Sequence, residues 1–236
     1  MDITLPSDSK NWLATGFFPP NYRSLAEGFA VQLRAHGIPH HLFAVEKSGE
    51  WAYETMRKPS IVLAAMDAHP GKTLVLMDVD CYINGPLDAL MALNQSIDVS
   101  CFFYVKTKKI GRHRQRVSLS SRVVVVRPTP AARSFMINWR EACKERPWMH
   151  GDEPNMMLAL ARSTGTSFSP IDLRFSGREV SSAPEHAIIT HESASHQGKQ
   201  SRPMLKRLWQ IVGGSQPVDV AKRDDTGNAR TEREGS

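Results

Sequence analysis

Leu74-Val75-Leu76-Met77-Asp78-Val79-Asp80 is the stretch on which the reading of this chain turns. Four apolar residues run straight into two carboxylates, bounded by Gly71 upstream and Asn84-Gly85-Pro86 downstream. A short, branched run without polar alternation is the pattern of a strand buried on both faces. The aspartates then fall where the strand leaves the sheet, and in an open α/β sheet ligands bind at that carboxyl end. Two carboxylates one residue apart offer hard oxygen ligands to Mg²⁺ or Mn²⁺, ions that often share their shell with substrate phosphates. The triplet alone equally describes a solvated acidic turn. The apolar run in front of it favours a ligand-binding edge.

Upstream, Leu13-Ala14-Thr15-Gly16-Phe17 reads as the opening strand, closed by Pro19-Pro20. Gly16 either admits close approach of a ligand or marks a bulge. Ser24 and Glu27 have capping-box spacing. The helix they open carries Leu25, Phe29 and Leu33 on one face and stops at Gly37. His40 to Val45 is the next strand; adjacent histidines on a strand point to opposite faces, which makes His40 and His41 structural rather than joint metal ligands. Trp51 to Lys58 is a loop or short helix, and Pro59-Ser60 opens a helix through Met66. Strand, helix, strand, helix, strand is the order of a parallel sheet wound with helices.

Downstream, Leu87 to Leu93 is a short helix and Ile97 to Val105 a strand. Lys106, Lys108, Lys109, Arg112, Arg114 and Arg116 then form a dense basic stretch. It reads as a solvated mobile loop, or as an anion-binding flap, acceptor contact or membrane contact. It has no aromatic residue to stack bases, so no nucleic-acid partner is expected. Ser120-Ser121 leads into the buried strand Val123–Val126. Thr129 caps a helix with Pro130 in its first turn and Ala132, Phe135, Met136 and Trp139 facing inward. Gly151-Asp152-Glu153-Pro154 opens another helix, with Met156, Met157, Leu160 and Ala161 as its buried face. Phe168 to Ile171 and Ala187 to Thr190 are the last strands, the second running into His191.

With 236 residues the chain can bury a full core in one domain. The expected division is a domain over 1–212 and a flexible tail over 213–236, which is polar and lacks an apolar period. No apolar run approaches a membrane span. The first residues lack a charged n-region and an apolar h-region. Cys81, Cys101 and Cys143 are an odd set without metal-type spacing, which suits reduced, buried thiols in the cytosol. A cytoplasmic location follows as an expectation. The formal charge of +6 biases the chain towards polyanionic partners. Residues 202–212 are basic and amphipathic, suited to peripheral contact with the inner membrane face or to packing on the domain.

Taken together, Lys58, the Asp78/Asp80 pair, Asp152-Glu153 after a glycine, and a late strand ending in His191 resemble the GT-A nucleotide-sugar glycosyltransferases. The resemblance covers roughly residues 12–202 and implies a single α/β domain with a Rossmann-like, mixed, mostly parallel sheet flanked by helices. It implies metal-dependent transfer of a sugar from a nucleotide-diphosphate donor, a UDP-sugar foremost, to a hydroxyl acceptor such as a glycan or lipid-linked saccharide. By the same resemblance Asp78, Asp80 and His191 hold Mn²⁺ (or Mg²⁺), the imidazole favouring Mn²⁺. Val79 lies between the acids against the donor. Lys58 and Lys199 contact the donor, with His196 or Arg202 as alternatives to Lys199. Thr15 and Gly16 flank the nucleoside, and Asp152 and Glu153 are the catalytic acids.

The chemistry agrees with that assignment. Breaking a glycosyl–phosphate bond builds negative charge on the departing diphosphate, which a divalent ion and a Lys or Arg stabilise. The acceptor hydroxyl needs a carboxylate or the departing phosphate to take its proton. Simpler roles exist for each residue: N-capping for Asp152, a favourable helix-end charge for Glu153, a surface position for His191, a snorkelling side chain for Lys58. An apolar strand ending in D-x-D also suits a haloacid-dehalogenase-type phosphohydrolase, although that family places the motif on its first strand. A non-catalytic sugar-nucleotide or polyanion binder is the third possibility.

Overall fold

The computed structural model describes residues 1–6, 9–47, 51–93, 95–110, 112–147, 151–179 and 183–192. In chain order its elements are β1 (Ile3–Leu5), β2 (Trp12–Phe18), α1 (Arg23–Ala35), β3 (His40–Ala44), α2 (Trp51–Thr55), α3 (Lys58–Ala68), β4 (Thr73–Met77), β5 (Cys81–Ile83), α4 (Asp88–Leu93), β6 (Val99–Ile110), β7 (Arg112–Val126), α5 (Pro130–Glu145), α6 (Glu153–Arg162), β8 (Phe168–Pro170), β9 (Arg178–Glu179) and β10 (Ile189–His191).

The main sheet runs β1-β3-β2-β4-β7-β6-β8. β2, β3 and β4 pair in parallel, and so do β6 and β8; β1 and β7 run antiparallel to their neighbours. The sheet is therefore mixed and mostly parallel. β4 lies at its centre and Leu74, Val75, Leu76 and Met77 are fully buried. Its side chains alternate between two cores. Val75 and Met77 join Phe29 and Leu33 of α1 on one face. Leu74 and Leu76 join Val62 of α3 and Phe135 and Trp139 of α5 on the other. A strand that feeds two cores has no solvent face, which is why its sequence shows no alternation.

A second sheet, β5-β10-β9, sets the position of the site. The chain leaves β4 at Asp78, turns with the Cys81 amide donating to the Asp78 carbonyl (3.1 Å), and enters β5. β10 pairs antiparallel with β5 and brings His191 opposite Cys81. The Glu192 amide then donates to the Asp80 carbonyl at 3.2 Å.

Several expectations change. The Ser24–Glu27 capping box does not form: a 3-10 turn over Pro20–Tyr22 runs directly into α1, so Ser24 is already inside the helix. Glu27 instead pairs with Arg23 at 3.0 Å. The helix does stop at Gly37, whose φ of 61° is the left-handed conformation that favours glycine. The basic stretch is not a loop over 106–110 and 112–116: its backbone there continues β6 and β7 as a two-stranded ribbon, in register from Val105↔Val117 to Ile110↔Arg112. Of the expected face of α6, Met156 is buried, Met157 and Leu160 are partly buried against the core and Ala161 is exposed; Asn155 and Ala159 are buried beside Met156. The expected tail 213–236 and the amphipathic stretch 202–212 lie outside the described residues, and no described helix is long and apolar enough to cross a membrane.

Candidate active site

A cleft of about 830 Å³ opens at the carboxyl end of β4. Asp78, Val79, Asp80, His191, Gly151, Asp152 and Glu153 are among the residues that line it. One oxygen each from Asp78 and Asp80 and one ring nitrogen of His191 lie within 4.8 Å of one another. The His191 Nε2 is 3.1 Å from Asp80 Oδ1. His191 is buried rather than superficial. Its Nδ1 has no hydrogen-bond partner among the described residues, so the ring is held by packing, by strand pairing and by Asp80. Two carboxylates and an imidazole are a donor set that fits Mn²⁺ well and Mg²⁺ less well.

Lys58 occupies the first position of α3 and is 3% exposed, which removes the snorkelling alternative. Its ammonium donates to Asp78 Oδ1 at 2.8 Å, to Ser121 Oγ at 3.1 Å and to the Ser121 carbonyl at 3.2 Å, and stands 3.6 Å from Asp152 Oδ2. Burial alone depresses this ammonium, but Asp152 and then Asp78 outweigh it and hold its pKa above the ordinary lysine range. Burial pushes the Asp78 carboxyl up; Lys58 pulls it back, and the Asp80 and Asp152 charges raise it further, leaving it above the usual aspartate value. The Lys58 ammonium thus ties Asp78, Asp152 and Ser121 together, and the residue lines the cleft.

Asp152 takes the N-cap position of α6, but with helical φ and ψ (−88°, −27°) and no side-chain capping bond. Its carboxylate turns to Lys58 instead, so the capping role is set aside. Its carbonyl accepts the Trp139 indole N–H at 3.2 Å and the Met156 amide at 2.8 Å, tying this corner to the core under α5. Glu153 Oε2 accepts the Tyr104 hydroxyl at 2.6 Å on the cleft wall.

Thr15 and Gly16 are not on the cleft wall. Thr15 is fully buried and donates its hydroxyl to the His41 carbonyl at 3.1 Å. At Gly16 a Cβ would sit 2.6 Å from the Met77 carbonyl oxygen, so this glycine permits the close approach of β2 and β4. From this part of the chain Phe17, Asn21 and Tyr22 reach the cleft. Lys199 and its alternatives His196 and Arg202 lie outside the described residues.

Sequence reasoning passed over Tyr104, Arg122 and Arg178, which all line the cleft. Arg178 comes from two-residue β9 and lies over the Phe102 ring at 6.0 Å. Arg122 Nη1 donates to the Gly177 carbonyl at 3.5 Å. The one available signal was the alternation of Phe102 and Tyr104, which puts both rings on one face of β6.

By sequence the chain matches no family model and no curated protein. By structure it is similar to a glycosyltransferase involved in glycosylation of the major capsid of PBCV-1, at 16% identity and a TM-score of 0.59, over 82% of this chain and 99% of that one. It is also similar to the galactosyltransferase LgtC, solved in complex with donor and acceptor sugar analogues, at 10% identity and a TM-score of 0.53, over 87% of this chain and 97% of that one. The fold is GT-A. The D-x-D turn after β4, Lys58 and the β5–β10 pairing form one connected unit at the carboxyl end of β4.

Proposed function

We propose that the chain is a glycosyltransferase that moves a sugar from a nucleotide-diphosphate donor, a UDP-sugar foremost, to a hydroxyl acceptor such as a glycan or lipid-linked saccharide, with Mn²⁺ (or Mg²⁺) as cofactor. The observation that carries the reading is the convergence of Asp78, Asp80 and His191 at one end of a cleft in this fold. These three would hold the ion, whose chemistry when bound is to neutralise charge growing on the departing diphosphate. Lys58 fixes Asp78 and Asp152 so that neither has to reorganise during the reaction. Glu153, oriented by Tyr104, is the carboxylate placed to receive the acceptor hydroxyl's proton or to stabilise positive charge on the sugar. The anomer of the product tells these two roles apart.

Supporting this reading over a phosphohydrolase, β4 is the fourth strand among the described residues, not the first. Release of nucleoside diphosphate from a panel of sugar nucleotides, with Mn²⁺ and with chelator, is the test. Chelator-sensitive release supports transfer. Hydrolysis of phosphomonoesters instead supports the phosphohydrolase, and tight binding of sugar nucleotide without either product supports the non-catalytic module.

A further inference from the structure

The β6–β7 ribbon outruns the sheet it belongs to. β8 pairs with β6 only at Val99–Cys101, and β4 pairs with β7 only at Val123–Val126. From Phe102↔Ser120 to Ile110↔Arg112 the two strands pair with each other alone among the described residues. A two-stranded ribbon without a third strand is marginal in water. This one has an added difficulty. Its register sets Lys106 opposite Arg116 and Lys108 opposite Arg114, and like charges directly opposite destabilise a strand pair. Neither strand carries an acid of its own to offset them: no Asp or Glu occurs between Asp98 and Glu141.

The position of these pairs gives the arrangement a direction. Side chains alternate along a strand, so positions 102, 104, 106 and 108 share one ladder with 114, 116, 118 and 120. Phe102, Tyr104 and Ser120 of that ladder line the cleft. The four cationic positions continue it outward, beginning one step beyond the Tyr104 that bonds Glu153. Neighbouring positions on a ladder repeat at about 7 Å.

We infer that the acceptor is a polyanionic saccharide, bearing phosphate, sulfate or carboxylate groups along its length, and that it lies on the ladder of Lys106, Lys108, Arg114 and Arg116. The inference rests on the glycosyltransferase reading and names the substrate class of the same cleft. Bound anions supply counter-charge that the two strands do not carry themselves, and the saccharide's reacting end is led to Glu153. A bilayer fits less well: the exposed apolar pair, Val105 and Val117, belongs to the opposite ladder, so apolar and cationic positions do not share one face.

The test is binding of short dextran sulfate against neutral dextran of equal length, with the full chain at several ionic strengths. The variant Lys106→Glu/Lys108→Glu places carboxylates opposite Arg116 and Arg114. A control, Arg34→Glu/Lys144→Glu, changes net charge equally on exposed helix positions. Wild type and control bind dextran sulfate, increasingly weakly as salt screens the charges, and neither binds dextran. The ribbon variant binds about tenfold or more weakly, while its thermal midpoint is equal or higher, because repulsive pairs have become attractive. A loss of binding through damage to the fold would lower that midpoint. Equal weakening in ribbon variant and control, unchanged binding in the ribbon variant, or binding of wild type to phosphatidylglycerol vesicles but not to dextran sulfate overturns the inference. Failure of the glycosyltransferase reading appears in a different assay, as absence of nucleoside diphosphate release by wild type.

Discussion

The Lys58 ammonium lies 2.8 Å from the Asp78 carboxylate, with both side chains at the base of the cleft and the lysine almost completely enclosed. A buried charge is tolerated only with partners, and Lys58 has Asp78, Asp152 and Ser121. Lys58→Met leaves two carboxylates of one sign facing each other. The expected cost is about 3–5 kcal/mol of stability, read by chemical denaturation. Loss of activity with unchanged stability would show that the lysine serves the substrate directly.

Asp152→Asn keeps the shape of the side chain and removes its charge. Because this carboxylate makes no capping bond, the α6 helix should persist, visible as unchanged far-ultraviolet dichroism. Transfer should fall by about 10²-fold or more if the charge acts on the reacting sugar or its proton. A variant of wild-type activity would leave Asp152 with only its structural partnership to Lys58.

Gly16→Ala probes how the sheet supports the site. The added methyl meets the Met77 carbonyl oxygen, one residue before Asp78. Overpacking of this kind costs about 1–3 kcal/mol. The strain enters the strand that ends in the metal-ligand candidates, so donor turnover should fall together with the denaturation midpoint. Unchanged stability would mean that β2 and β4 can separate without cost.

The cysteines give a pH prediction. Burial pushes the Cys101 thiol up to about 12, with a smaller push from Glu153; burial likewise raises Cys143 to about 12, with Asp152 adding to it. In the unfolded chain these thiols ionise near 8.5. Between that value and about 12 the unfolded state holds fewer protons than the folded one, so stability falls as pH rises through this window. The expected slope is about 1.4 kcal/mol per pH unit for each thiol. Thiol reagents at pH 8 should leave Cys81, Cys101 and Cys143 unlabelled in the native protein and label all three after denaturation, since all are buried and free.

Legibility in the sequence followed the size of the physical signal. β4 was plain because an uninterrupted apolar run ended in charge, and α5 because Thr129 and Pro130 marked its start; Thr129 Oγ1 does accept the Ala132 amide at 3.1 Å. β1, β5 and β9 have two or three residues each, too few to show a period. The basic stretch 106–116 looked like a loop because its charges masked strands whose pairing is local. In the site, paired acids and a late histidine were visible, because they are the polar ends of apolar strands. Which acids Lys58 would meet was not, since that depends on the starts of α3 and α6 coming together at the end of β4. Tyr104 was hidden because an aromatic on a strand reads first as packing.

The account stands on a cation held by Asp78, Asp80 and His191. Calorimetric titration of Mn²⁺ in the presence of UDP, comparing wild type with Asp80→Ala and His191→Ala, measures that directly. The prediction is saturable single-site uptake by wild type and affinity lower by about tenfold or more in both variants, with native thermal transitions throughout. Equal Mn²⁺ affinity in wild type and the two variants, or no uptake by wild type, would contradict it.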